Sequence, residues 1–452
     1  MREWVIRGGT IVSMDDGLGD LKGDILVREG RIAAIAPTLE APAGAEVIDA
    51  RGMIVMPGFV NAHMHTWQTG LRGVAADWTI SQYLRAIHAG LATHFRAEDI
   101  YIANLTGALN QINCGTTTLV DWCHNNPTPG HTDAALDGLQ QSGIRALFLH
   151  GSPKPDPKPG QKHFSEVPMP RGEVERLRRG PMASDDALVT MGLAILGPGM
   201  SVYDVCDHDF RLARELDMIA SMHVSGPMLT PDGFERLAAL SLLGSHLNVV
   251  HGNVLTDAQL DLLVDAGVSF SVTAEVEMQM SFGRPLTGRL RRRGGHISIG
   301  SDIESGMASD MFTVARMTLQ AQRFIDALDS FSAQGKGLAE ITIPCREALR
   351  WATIDGARMA GLDRRTGSLT PGKQADIVLL SARDPNMHPV VDPAASILLQ
   401  AGVANVDTVM IGGVLHKRGG RLLYGDLPRK LDELAQSSAR ILSDFNRARA
   451  AA

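Results

Sequence analysis

His63-Met64-His65 closes an apolar run that begins at Ile54, and the two histidines stand at i and i+2. On an extended strand those positions project to the same side, so both imidazoles enter one space. Neutral imidazole is a common metal ligand. Three other apolar runs finish in residues of the same chemistry: His223 after Ser221-Met222, His251 after Val249-Val250, and Asp302 after Ile299-Gly300-Ser301. Four imidazoles and a carboxylate recurring at strand ends point to one divalent ion, zinc first and iron(II) as the alternative. Such an ion lowers the pKa of bound water from ~15.7 to near 7 and polarises the group under attack. A carboxylate and an imidazole beside it then manage protons.

These residues need elements that bring their ends together. From Pro57 onward, helical patterns alternate with short apolar runs. The run before His63 is followed by others at 117–120, 146–149, 188–194, 218–222, 247–250, 268–272 and 296–299. Eight such units predict a (β/α)8 barrel with its chemistry at the carboxyl ends of the strands. Residues 1–56 read as short strands separated by turns such as Asp15-Asp16-Gly17 and Arg28-Glu29-Gly30, and strand patterns return after Gly372. The predicted organisation is a small composite β-sandwich from residues 1–56 and 366–425, a hydrolase barrel over 57–365, and a C-terminal helix over 426–452. The Pro-, Lys- and Gly-rich stretch 151–172 reads as an exposed excursion at the barrel mouth.

Composition excludes several classes. The chain has 452 residues, 44% hydrophobic and 21% charged, which suits a globular core. A net charge of −7 removes the electrostatic reason for a nucleic-acid partner. No run reaches the ~20 apolar residues of a membrane span, and the first residues lack a signal-peptide core. Cys114, Cys123, Cys206 and Cys345 form no C-x-x-C pair, so neither a disulfide framework nor a thiolate zinc site is expected. A soluble cytoplasmic protein is expected.

The residues Pro57 to His65, Gly115-Thr116-Thr117-Thr118, His251-Gly252, Gly300-Ser301-Asp302 and the closing Gly367 to Val378 resemble the amidohydrolase superfamily. The resemblance is to its branch of cytosine, guanine and S-adenosylhomocysteine deaminases and s-triazine hydrolases. It implies one metal held by His63, His65, His223 and Asp302, with His251 contacting the attacking water or substrate and Asp302 accepting the water's proton. Binuclear branches place a bridging lysine on the fourth strand, and 191–198 contains none. Homodimers or homotetramers are implied as well.

Two departures bear on the reaction. The deaminases carry a proton-shuttling glutamate three residues after the fifth-strand histidine, and here that position is Gly226. After the seventh strand this chain reads Val272-Thr273-Ala274-Glu275-Val276-Glu277, so Glu275 or Glu277 is the expected replacement acid. Trp67, Gln68, Arg72, Trp122 and His150 are expected substrate contacts, with Asp121 and His124 as weaker candidates. His88, His131, His163, His208, His246 and His296 read as surface or structural. The expected activity is metal-dependent hydrolysis of a C–N bond: deamination or dealkylamination of an N-heterocycle, or cleavage of an amide, urea or carbamate. The alternatives are hydrolytic dechlorination of a heterocycle and a non-catalytic scaffold on the same fold.

Overall fold

Segments buried on both faces read as continuous apolar runs and pair in parallel, and eight of them do so here. In the computed structural model, which describes residues 2–451, they are β1 (Phe59–Met64), β2 (Thr116–Cys123), β3 (Arg145–Gly151), β4 (Val189–Ala194), β5 (Ala220–Val224), β6 (Leu247–His251), β7 (Ser269–Val272) and β8 (His296–Ile299). Each pairs with its sequence neighbour, and helices fill the intervals, giving the (β/α)8 barrel. One strand is displaced from its expected place. The fifth run, read as 218–222, begins instead at Ala220 and carries His223 inside it. Asp217 turns left-handed there, with φ 49°, and the Met218 N–H closes the preceding helix on Ala213 O at 2.9 Å.

The eighth strand meets the first through a short seam. Asp302 N–H donates to His63 O at 2.9 Å and His65 N–H to Asp302 O at 2.8 Å, forming a parallel bridge between Met64 and Asp302. Asn61 spans the same seam, donating to Ser301 Oγ at 2.8 Å and accepting the Ser301 N–H at 3.1 Å. Gly300 is required by proximity: a Cβ there would lie 2.6 Å from both His63 N and O.

Both chain ends enter one further sheet. Trp4–Ile11, Leu21–Arg28, Arg31–Ala36, Glu46–Asp49 and Met53–Pro57 supply its first part, and Ile377–Ser381, Val406–Ile411, Val414–Arg418 and Arg421–Leu422 its second. They join where Met53–Pro57 runs antiparallel to Ile377–Ser381. Trp4, Ile25, Leu379 and Met410 belong to a core separate from that of the barrel. The helix Leu427–Ala451 packs back on the helix Ala97–Asn113. No helix among the described residues is long and apolar enough to cross a membrane.

Sheet and barrel are fastened by a buried ion pair. Arg145, at the start of β3, makes a bidentate contact with Asp376 at 2.7 and 3.0 Å, and both are 2% exposed. Thr366 Oγ1 and Gly412 N–H donate to the same carboxylate. Removing one member of such a pair strands a buried charge. Arg145→Met should therefore lower stability by about 3–5 kcal/mol in urea or thermal unfolding, and Arg145→Met with Asp376→Leu should recover part of it. A single variant as stable as the parent would show that the pair does not fasten the sheet.

Candidate metal centre

The strand ends deliver their side chains to one point. Ligand atoms of His63, His65, His223 and Asp302 all lie within 4.8 Å of one another. His63 Nε2 is 3.2 Å from Asp302 Oδ1 and 3.2 Å from His223 Nε2, and His65 Nε2 is 3.3 Å from Asp302 Oδ1. Four donors about 2.0–2.1 Å from a tetrahedral zinc stand about 3.3 Å apart, so this spacing fits a metal ion. The protonation states fit too. Burial first, then neighbouring His63, holds His65 down to about 3, and burial keeps His63 and His223 below the ordinary value. Burial thus disfavours the protonated ring at all three positions, which suits them to ligate a metal. Burial alone would raise the Asp302 carboxyl, but the His63 hydrogen bond and the surrounding imidazoles outweigh it and hold it below the usual range.

Outer contacts orient the donors. His65 Nδ1 bonds Trp122 O at 2.7 Å, which turns its Nε2 inward. His251 Nδ1 faces Thr273 Oγ1 at 3.0 Å and Glu277 Oε1 at 3.4 Å, leaving Nε2 3.9 Å from Asp302 Oδ2. His251 and Asp302 both sit in the left-handed region, at φ 67° and 63°. Such backbone costs of order 1–3 kcal/mol in a non-glycine residue and clusters at functional sites.

Other expected residues fall in different places. Glu275 and Glu277 lie on a short helix, Ala274–Gln279, rather than at a strand end. Glu277 is fully buried, accepting from Thr273 N–H at 2.9 Å and Asn253 at 3.2 Å. It stands behind His251 and not in the cavity. Glu275 is pushed up by burial and by Asp310, and does not line the cavity either. Arg72 is turned away: it pairs with Glu304 at 2.9 Å and lines another cleft with Asn110 and Met307. His150, pushed down to about 4 by burial, stacks on Phe148 and bonds Asn126. Trp67 and Gln68 brace the wall, the latter through Tyr83 Oη at 2.6 Å, and Trp122 packs edge-on against His223. Asp121, raised to about 7 by burial, accepts the Thr66 N–H and Asn104.

The cavity over the metal cluster holds residues that the sequence pattern did not single out. A π-helical turn, Leu84–His88, follows Ile80–Tyr83 and lays Tyr83, Leu84 and His88 across it; π-turns are frequent at functional sites. His88, expected at the surface or in a structural role, is buried here and pairs with His124 at 3.2 Å. Lys154, from the 151–172 excursion, reaches in with its Nζ 4.9 Å above the Trp122 ring, and burial pushes it down to about 7. The Lys- and Pro-rich composition marked the excursion but not which lysine turns inward. Gly226 leaves open space, with nothing within 4 Å of where a Cβ would stand.

The amidohydrolase family profile matches residues 54–415. The chain is 28% identical to a 5-methylthioadenosine/S-adenosylhomocysteine deaminase of Desulforudis audaxviator, covering 94% of this chain and 96% of the relative. It is 27% identical to a 5'-deoxyadenosine deaminase of Methanothermobacter thermautotrophicus over the same shares. Among solved structures, a zinc-bound adenosine deaminase of Xanthomonas campestris superposes with a TM-score of 0.81 at 24% identity, covering 98% of this chain and 99% of the other. An atrazine chlorohydrolase of Arthrobacter aurescens complexed with zinc gives 0.84 at 22%, covering 97% and 100%.

His63→Ala and Asp302→Ala should each purify nearly free of divalent metal by elemental analysis, whereas Glu277→Gln should keep its metal and lose about 10–100-fold in turnover. Full metal content in the first two variants would break the assignment.

Proposed function

The chain belongs to the amidohydrolase family, and from that premise we propose that it is a mononuclear metal-dependent hydrolase cleaving a C–N bond in a small molecule. The observation that carries this reading is the cluster of His63, His65, His223 and Asp302, whose ligand atoms all lie within 4.8 Å of one another. A divalent metal site is present; that it takes one ion, and zinc, is part of the proposal. It is supported by the single cluster among the described residues and by the absence of a lysine on β4. A scaffold would have no reason to retain the whole set.

A divalent ion held by His63, His65, His223 and Asp302 would supply polarisation of the group under attack and a water made nucleophilic near neutral pH. The chain's own residues then divide the remaining work. Asp302, whose Oδ1 faces His63 and His65, turns its Oδ2 toward His251 at 3.9 Å, which places the carboxylate to accept the proton of water. His251, held from behind by Thr273 and Glu277, offers Nε2 to the substrate. Phe282, 4.9 Å from the His251 ring, and Met280 exclude solvent.

Gly226 supplies no acid, and this narrows the substrate. Ammonia leaves poorly without a proton, whereas a ring-activated amine, a urea, a carbamate or an amide with a stabilised leaving group departs more easily. Gly226 also favours a second reading, hydrolytic dechlorination, because chloride leaves as an anion. In oxygen-18 water, product from the zinc-loaded protein should carry the label at the attacked carbon. Turnover with unlabelled product would assign a lyase or isomerase instead.

A homodimer or homotetramer in the cytoplasm completes the proposal. Phe324, Leu328 and Phe331 share one side of the helix Met311–Gln334 and are exposed, with Ile341 nearby; residues at this spacing adjoin on a helix, and contiguous apolar patches mark interfaces. Light scattering should find more than one chain for the parent and a monomer for Phe324→Glu/Phe331→Glu. A monomeric parent would remove this part.

A further inference from the structure

Lys154 is 7% exposed and has no ion-pair or hydrogen-bond partner among the described residues. Its ammonium opens into the cavity beside His88 and His124. The only acid lining that cavity is Asp302, whose oxygens are engaged with the metal cluster and His251. One wall therefore gathers three nitrogen-bearing side chains and no carboxylate. A buried cation without a counter-charge is costly, and burial pushes Lys154 down to about 7; an anion bound beside it would supply the missing charge and hold it as an ammonium. The lining also includes the apolar side chains Ile80, Leu84, Met280, Phe282 and Ile303.

We infer that the Lys154 wall receives a carboxylate carried by the substrate, so that the molecule cleaved is an anion with a planar or apolar body rather than a neutral heterocycle. This rests on the hydrolase reading for what happens next, but not for the binding itself. The ammonium donates to one carboxylate oxygen, a charge-assisted bond about twice as strong as a neutral one. The His88–His124 pair stands beside it to meet the second. The apolar body then lies against Phe282 and Met280, which directs the remaining substituent toward the metal cluster. The stacking of Lys154 on Trp122 fixes the ammonium without neutralising it, which leaves its hydrogen-bond donors for the ligand.

Benzoate and benzamide, which match in shape and differ in charge, test this on metal-free protein, where no metal can bind the carboxylate. Calorimetry should show benzoate bound at least about tenfold more tightly than benzamide. Lys154→Met should abolish the difference and Lys154→Arg should retain it. Equal binding of the two probes by the parent, no binding of either, or a preference that survives in Lys154→Met would overturn the inference. Should Lys154→Met fail to fold, the comparison in the parent still decides. Zinc content is measured separately: a parent that binds no zinc sinks the hydrolase reading and leaves the benzoate result standing.

Discussion

Two backbone hydrogen bonds close the barrel, and the rest of the site depends on them. They run between Asp302 and the strand carrying His63 and His65, so the residues that complete the cylinder are the ones whose side chains gather at its rim. Closure and donor geometry thus cannot be separated: a shift in the seam is a shift in the cluster. The left-handed backbone at Asp302 is held there by the seam bonds, by Asn61 and Ser301, and by the close approach that Gly300 permits. Strain of this kind persists only where the surroundings over-determine it.

Much of this was legible in the sequence because burial and chemistry change abruptly at the strand ends. An apolar run that turns into His-x-His or Gly-Ser-Asp marks both a strand and its carboxyl edge, so the eight strands and the five polar strand-end residues followed from one pattern, while the choice of the four that cluster came from the family resemblance. The β5 boundary did not follow, because Met218 and Ile219 are as apolar as strand residues while the preceding helix needs the Met218 N–H for its end. Arg72 and Glu277 were misplaced for a different reason. Their positions are fixed by partners distant in sequence, Glu304 and His251, and no local periodicity carries that information. Lys154 lies in a stretch with no period at all, and only the folded excursion shows which side chain turns inward.

Glu277 and Gly226 together show how polarity is distributed around the cavity. A carboxylate three residues after His223 would stand in open space; the one this chain has near His251 is sealed away, with its oxygens spoken for by Thr273 and Asn253. Buried polar groups are stable when fully satisfied, and Glu277 meets that condition by orienting a ring. The cavity itself is left with one acid, several imidazoles and an ammonium, an imbalance that a neutral ligand would leave uncorrected.

The sheet shared by the two chain ends has a consequence for how the protein is made. Met53–Pro57 emerges from the ribosome about 320 residues ahead of its antiparallel neighbour Ile377–Ser381. At about 5–20 residues per second, that edge stays open for tens of seconds while the intervening helices and strands appear. Nascent chains of this protein therefore carry an unpaired, apolar β-edge until the second strand has emerged. Cells that overproduce it should draw on holding chaperones during translation more than after release.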